Sequence, residues 1–231
     1  MFRVATAAFG IAVAVTALGA VSAAPLGAQV RIIDEGSFTL YRDGDRIGRE
    51  DFSIREAPGA EGRVFVAQAT VAIGPRRITP GLNADTSGYP SRYQREVRDS
   101  DAVTETYSGV GARGRFSSRL VTHDGESARE LRLPPGTVAA DDDIIHQLWF
   151  ITRRPAGTTV PVLVPRRNTV EVVRVERVGA ESVTIDLRQF ETTHLAIRTA
   201  STGIVRDVWV DAGGRIIKAS IPALGLVALR D

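Results

Sequence analysis

The chain has 231 residues, a formal net charge of +2 and 43% hydrophobic residues. This hydrophobic content is enough for a folded core and excludes wholesale disorder. The chain has no cysteine, which excludes disulfides, thiolate metal sites, cysteine nucleophiles and a lipid anchor on cysteine. The basic residues alternate with acidic ones and form no run, so the sequence predicts no nucleic-acid partner.

The first segment, Met1–Ala28, has the pattern of a secretory signal. Arg3 is followed by a run rich in Ala and Val, and the next charged residue is Arg31. Small residues at Val21-Ser22-Ala23 and Leu26-Gly27-Ala28 form two cleavage sites. We predict a signal peptide over 1–28 and an exported, periplasmic chain without a transmembrane span. The alternative is that the apolar run is retained as an N-terminal anchor, because it is long enough to cross a bilayer.

The next segments have the pattern of strands joined by turns. Ser37–Tyr41 and Arg46–Arg55 predict a hairpin across Asp43-Gly44-Asp45, because Asp-Gly supplies the positive φ of a tight turn. Arg63–Ile73 alternates apolar residues with a period of two, which predicts a strand. Pro75–Gly88 predicts a loop, and Tyr89–Arg98 predicts an exposed or edge-facing strand.

A meander is predicted from Ala102–Val110, Arg115–Thr122 and Glu126–Leu133. The residues Gly109–Gly114 match the pattern GxGxxG, which binds dinucleotides where a strand leads into a helix. Here a second strand follows, so we predict a glycine-rich hairpin turn instead.

The segment Asp141–Arg154 predicts an amphipathic helix. Carboxylates at Asp141 to Asp143 suit the free N–H groups of a helix start, and Pro155 would stop the helix. The apolar residues recur at helical spacing: Ile144, Ile145, Leu148, Trp149 and Ile151. A single amphipathic helix among strands buries its apolar stripe against a sheet.

Strands resume after the helix. Thr158–Val164 contains Pro161, which predicts an edge position, and a change of phase in Thr169–Val178 predicts a β-bulge. In Ser182–Arg188 the residues Val183, Ile185 and Leu187 are expected to face inward. The remaining predicted strands are His194–Thr199, Ile204–Val210, Arg215–Ile221 and Leu226–Arg230, with a turn at Asp211-Ala212-Gly213-Gly214.

Catalytic patterns are absent from the sequence. Asp142 and His146 are four residues apart on the predicted helix, close enough to share a metal or form an ion pair, but a metal site needs a third ligand. Neither a GxSxG nor an HExxH motif occurs. We therefore expect no enzyme activity, no metal and no cofactor. The alternative is a hydrolase that uses His146 and nearby acids in a metal or acid–base site.

The apolar clusters are the better lead to a function. Leu148, Trp149 and Phe150 are consecutive, so the helix is apolar beyond one stripe and must bury the excess in its core, a ligand pocket or a partner. With simple core as the alternative, we predict the ligand-binding residues Ile145, Leu148, Trp149 and Trp209. The expected partner is a lipid, an acyl chain or another apolar ligand, or a protein of the cell envelope.

The C-terminal run Ile204–Arg230, with its Asp211–Gly214 turn and Pro222, resembles the closing hairpin of uncharacterised exported bacterial β-domains. Gly36–Arg55 resembles the start of the same domains. The layout is similar to the periplasmic lipoprotein-carrier fold, and this resemblance implies a sheet that curls around helices and holds acyl chains. We predict a single, mainly β domain over 29–231. Its expected form is a curved antiparallel sheet or open β-barrel with one amphipathic helix packed on its concave side, and a two-sheet sandwich is the runner-up.

Overall fold

The computed structural model describes residues 29–231, which form one sheet of 15 strands. The strands are β1 (Arg31–Arg42), β2 (Asp45–Gly59), β3 (Gly62–Ile73), β4 (Arg76–Asp85), β5 (Pro90–Asp99), β6 (Ala102–Ala112), β7 (Arg115–Thr122), β8 (Gly125–Arg132), β9 (Val138–Ala139), β10 (Thr159–Val164), β11 (Thr169–Ile185), β12 (Arg188–Thr199), β13 (Val205–Val210), β14 (Ile216–Ile221) and β15 (Leu226–Arg230).

Two meanders make up this sheet. The strands β1 to β8 lie next to one another in chain order in one half of the sheet. The strands β9 to β15 form the other half in the same way, with β15 in the middle of the sheet and β9 at its edge. The two meanders join where β1 pairs with β15, so the first and last described strands lie side by side in the middle. Neighbouring strands are antiparallel, except that β9 and β10 are parallel. The predicted class, a mainly β, curved antiparallel sheet, is confirmed.

The sheet curls around the chain segment Leu133–Arg154. Alternate side chains of each long strand face one shared core, as do Phe65, Ala67 and Val71 of β3. The two halves meet across the interior, where the hydroxyl of Ser118 donates a 2.8 Å hydrogen bond to Oδ1 of Asn168. A twisted sheet of this many strands closes on itself in this way, because twist accumulates from strand to strand.

The predicted helix over Asp141–Arg154 is wrong in its extent. A 3₁₀ turn covers His146–Leu148, and the helix α1 covers Trp149–Thr152. The carboxylates of Asp141 to Asp143 bind side chains of other elements instead of capping a helix. The helix does pack on the concave side of the sheet, since Trp149, Phe150 and Ile151 are buried in the core.

The predicted loop Pro75–Gly88 is wrong, and the strand predicted over Tyr89–Arg98 is present but lies neither exposed nor at an edge. The first contains the strand β4, which pairs with β3 and β5 although Pro80 lacks an N–H. The paired residues of β3 and β4 skip this position, as expected where a donor is missing. The second is β5, which pairs on both sides and buries Tyr93.

Several turns agree with the sequence. Asp43 and Gly44 have positive φ between β1 and β2, and Arg113 and Gly114 have positive φ between β6 and β7, so the GxGxxG pattern ends in a hairpin turn. The predicted bulge is displaced: the register is regular at Val172 and Val173, where the phase of the apolar residues changes, and the register shift of β11 lies between Arg177 and Gly179. The inward orientation of Leu187 is wrong, because this residue is fully exposed at the turn between β11 and β12.

The predicted signal peptide, 1–28, lies outside the described residues. Within 29–231, the structure has no helix whose length and apolar character would let it cross a membrane.

Candidate functional site

A buried polar network holds the start of the inner segment. Arg95 of β5 is buried and donates hydrogen bonds to both carboxylate oxygens of Asp143, at 2.8 and 3.0 Å, and to Asp141 at 3.2 Å. The hydroxyl of Tyr93 donates to Asp141 at 2.7 Å. A buried carboxylate is tolerated where it is paired and hydrogen-bonded in this way. These contacts fix Asp141–Asp143 against β5.

Glu50 of β2 binds the next part of the segment. Its carboxylate accepts the backbone N–H groups of Ile145 and His146, both at 2.8 Å, and faces Nδ1 of His146 at 2.7 Å. Since a carboxylate accepts hydrogen bonds, Nδ1 is the ring nitrogen that donates to Glu50. Nε2 is buried and has no hydrogen-bond partner in the described residues. The imidazole ring stacks on Phe52.

The predicted pairing of Asp142 with His146 is not formed. Asp142 accepts from Arg167 at 2.7 Å and from Arg206 at 2.6 Å, whereas His146 faces Glu50. The two side chains diverge because the chain is not helical before His146. Within residues 29–231, no three His, Cys, Asp or Glu side chains are grouped to hold a metal ion.

Burial and charge move the pKa values of Asp141 and Asp143 in opposite directions. Desolvation raises the pKa of Asp141 to about 6, because the loss of water outweighs the attraction of Arg95. Desolvation also pushes the pKa of Asp143 upward, but hydrogen bonds and charge from Arg95 and the charge of Arg166 outweigh it, and this pKa lies below its ordinary value. Burial raises the pKa of Tyr93 well above its ordinary value.

The network sets the position of α1 at one end of the curled sheet. Trp149 meets the ring of Phe65 edge to face, with centroids 5.3 Å apart, and Phe150 meets the same ring at 6.1 Å. Phe65 lies near the start of β3, and Ile33 lies at a register shift near the start of β1. We call this end, formed by Ile33, Phe65, Trp149 and Arg153, the Trp149 mouth.

Two cavities flank Trp149 at the mouth. One, of about 190 Å³, also touches Gly88 and Phe150, and the other, of about 260 Å³, also touches Ile33. Both are lined by Phe65, Trp149 and Arg153. The guanidinium of Arg153 lies over the indole, 4.4 Å from the ring centroid. Arg153 therefore stands between the two cavities and covers the indole face.

The structure brings three of the four predicted ligand residues together. Ile145, Leu148 and Trp149 belong to the main core, but Ile145 and Leu148 do not line either cavity beside Trp149. Trp209 belongs to a second cluster with Val183 and Ile217, so it does not share a site with Trp149. The ligand-binding role of the four residues stays a prediction.

The second cluster lies under the hairpin of β11 and β12. Trp209 stacks on His194 with centroids 4.3 Å apart and donates a 2.8 Å hydrogen bond to Glu181. Between this hairpin and strands β1 and β15 runs a groove of about 620 Å³. We call it the outer groove; its lining includes Tyr41, Leu187, Phe190 and Leu229.

The sequence-based reasoning missed the residues that position the mouth. Glu50 alternates with Phe52 and Ile54 along β2, so its inward orientation could have been found from the strand pattern. The apolar alternation of Arg63–Ile73 puts Phe65 on the buried face of β3, but it assigns Phe65 no role in a site. The position of Arg153 over Trp149 depends on the short helix, which the sequence pattern did not reveal.

Comparisons with known proteins give the class of fold. No family model matches the chain, and no curated protein matches it. A solved structure that it resembles is a beta-barrel-like protein of Domain of Unknown Function DUF1849 from Brucella abortus. The match has a TM-score of 0.50 and 11% identity, and covers 88% of this chain and 97% of that one. The chain is thus a β-barrel-like protein similar to an uncharacterised domain, and its resemblance to lipoprotein carriers is not confirmed.

Proposed function

We propose that the chain is an exported, non-enzymatic binding protein that takes the end of an apolar ligand at the Trp149 mouth. The observation that carries this proposal is the pair of cavities that share Phe65, Trp149 and Arg153. Phe65 and Trp149 give each lining an aromatic part that suits contact with an apolar chain end, and Arg153 supplies a charged group beside it. Each cavity is smaller than the roughly 300–1,000 Å³ of sites for drug-sized ligands. One chain end therefore suits the mouth better than a whole lipid.

The surroundings of His146 support a non-enzymatic role. The ring nitrogen that does not face Glu50, Nε2, is buried, and Glu50 and Phe52 cover the rest of the ring. A general base must reach the proton that it removes. His146 is instead suited to holding α1 in place.

Export is supported by the pattern of Met1–Ala28, with one early cation, an apolar run and small residues at the end. Fractionation of cells that express the full chain with a C-terminal tag tests it. We expect a periplasmic protein whose mass shows cleavage after Ala23 or Ala28. A membrane-bound protein of full mass would support the anchor instead.

Binding of the neutral fluorescent probe N-phenyl-1-naphthylamine tests whether an apolar molecule binds at the Trp149 mouth. Ile33→Trp fills the second cavity, and we expect it to weaken binding at least about tenfold, because a filled cavity loses the contacts that the probe would make. Ile73→Trp is the matched control: Ile73 is also half-buried, but it lies eight residues along β3 from Phe65. That is about 26 Å along a strand. Equal losses in the two variants would contradict the proposal.

A second candidate is binding of an envelope protein along the outer groove. It is favoured by the lining of the groove, which places the fully exposed Leu187 together with the partly exposed Ile185 and Phe190. A photoreactive residue at position 187, compared with one at the exposed position 77, tests it in the cells of origin. A defined cross-linked partner at 187 and none at 77 would support this candidate.

A further inference from the structure

We infer that the ligand of the Trp149 mouth is a single-chain amphiphile whose carboxylate head pairs with Arg153. This inference rests on the proposed function and names the chemical class of its ligand. It is drawn from the way in which Arg153 is held, from the partners of three neighbouring arginines, and from the aromatic rings of Phe65 and Trp149 beside it.

Arg153 is held by a cation–π contact and not by hydrogen bonds. Its guanidinium carbon lies over the Trp149 ring, 4.4 Å from the centroid. The five N–H donors of a guanidinium point outward in its plane. No hydrogen bond or ion pair engages these donors in the part of the chain that the structure describes. They are free to bind an anion that arrives from solvent.

Three other arginines near the mouth already have partners. Arg154 donates to the carbonyl oxygens of Ser87 and Gly136, at 2.6 and 3.4 Å. Arg31 and Arg63 both pair with Glu56, at 2.8 and 3.0 Å. Glu56 is therefore neutralised by two cations and offers no partner to Arg153. The charge at the rim is complementary to one incoming carboxylate.

The arrangement fits a molecule with one charged head and one apolar chain. The chain end would lie against Phe65 and Trp149, in a cavity that Arg153 borders. A carboxylate on the same molecule would then reach the edge of the guanidinium and form charge-assisted hydrogen bonds. The indole beneath Arg153 excludes water from one side, which strengthens such a contact.

Decanoate and decanol are matched probes, because they share a ten-carbon chain and differ in head group. We expect the protein to bind decanoate about tenfold more tightly than decanol, as a hydrogen-bonded ion pair would require. Arg153→Gln should remove this preference and leave decanol binding within about twofold, and Arg153→Lys should restore part of it. Isothermal titration calorimetry of the full-length mature chain measures each affinity, and added salt should reduce the preference.

Arg77→Gln is the matched control, because Arg77 is exposed on β4 at the end of the sheet opposite the mouth. It makes the same charge change and should keep the full preference for decanoate. If both probes bind equally, or if the preference survives Arg153→Gln, the inference is wrong and the proposed function stands. If neither probe binds, the proposed function itself is wrong.

Discussion

Glu50 is the residue on which the placement of the inner segment most depends. Its carboxylate accepts three donors from Ile145 and His146, and both its side chain and that of His146 are buried. Truncation of one partner in such a group leaves the others without hydrogen bonds and without water. This loss is more costly than the net contribution of the bonds themselves.

We predict that Glu50→Ala lowers the free energy of unfolding by about 3–5 kcal/mol, because three buried donors lose their acceptor. Glu96→Ala is the control: Glu96 lies on β5 and pairs with Arg98 at the surface. It should change the stability by less than about 1 kcal/mol. Urea denaturation followed by far-UV circular dichroism measures both. Similar losses would show that the Glu50 contacts do not hold the segment.

Asp141 predicts a pH dependence of stability. Its pKa is raised to about 6 in the folded chain from an ordinary value of 3.8. Between these values the folded state holds a proton that the unfolded state has released, so stability falls as the pH rises from about 4 to about 6. The shift corresponds to roughly 3 kcal/mol.

The variant Asp141→Asn removes this titration. The stability of the wild type minus that of the variant should decline over the same pH window and level off above it. Denaturant midpoints at half-unit pH steps measure the difference. A difference that increases with pH would mean that Arg95 and Tyr93 hold the carboxylate ionised against its burial.

Gly109, from the GxGxxG pattern, has a packing role. A Cβ at this position would lie 2.1 Å from a ring carbon of Phe116, a fully buried side chain of β7. We predict that Gly109→Ala costs about 1–3 kcal/mol, the usual effect of overpacking. Gly179→Ala is the control, since a Cβ there meets nothing within 4 Å. It should be neutral or slightly stabilising in thermal denaturation, and equal effects would contradict the packing role.

At the scale of elements, the short helix shows where sequence patterns fail. Asp141–Arg154 has helix-like spacing, but side chains from distant strands bind its first residues in place of helical hydrogen bonds. Glu50 takes the N–H groups of Ile145 and His146, which lie 95 and 96 residues away in the chain. No local sequence pattern contains these long-range contacts, so periodicity alone overestimated the length of the helix.

The strand β4 shows the opposite error. Pro80 and Gly81 are turn-forming residues in most contexts, so the sequence predicted a loop over Pro75–Gly88. The sheet accommodates Pro80 because the β3–β4 ladder is interrupted there, while Leu82 and Ala84 fill the core. The hairpins with Asp43-Gly44 and Arg113-Gly114 could be predicted, because their turn chemistry is local.

A change in the stability of the β11–β12 hairpin should not affect ligand binding at the Trp149 mouth. We predict that Trp209→Ala speeds amide hydrogen exchange in residues 181–191, because it removes the indole on which Val183 packs. The same change should leave decanoate binding within about twofold, since Trp209 lies in a different cluster from Trp149. Exchange mass spectrometry and calorimetry measure the two effects. A large loss of binding would restore Trp209 as a ligand residue.

At the scale of the whole molecule, turn spacing was enough to predict a curved, mainly antiparallel sheet. The order of strands was not predictable, because the pairing of β1 with β15 joins residues far apart in the chain, such as Thr39 and Leu229, which are 190 positions apart. The likeness to the beta-barrel-like protein from Brucella abortus supports this fold. The sheet encloses part of its own chain, and that enclosed segment positions Trp149 at the mouth.

The central claim, that an apolar chain enters at Trp149, is tested most directly by photolabelling. Decanoate with a diazirine near the end of its chain is bound to the mature protein and irradiated, and the labelled residues are found by peptide mass spectrometry. The claim predicts label in residues 64–66 and 149–153, and its loss when excess unlabelled decanoate is present. Label in residues 184–190 of the outer groove, or label that unlabelled decanoate does not displace, would contradict it.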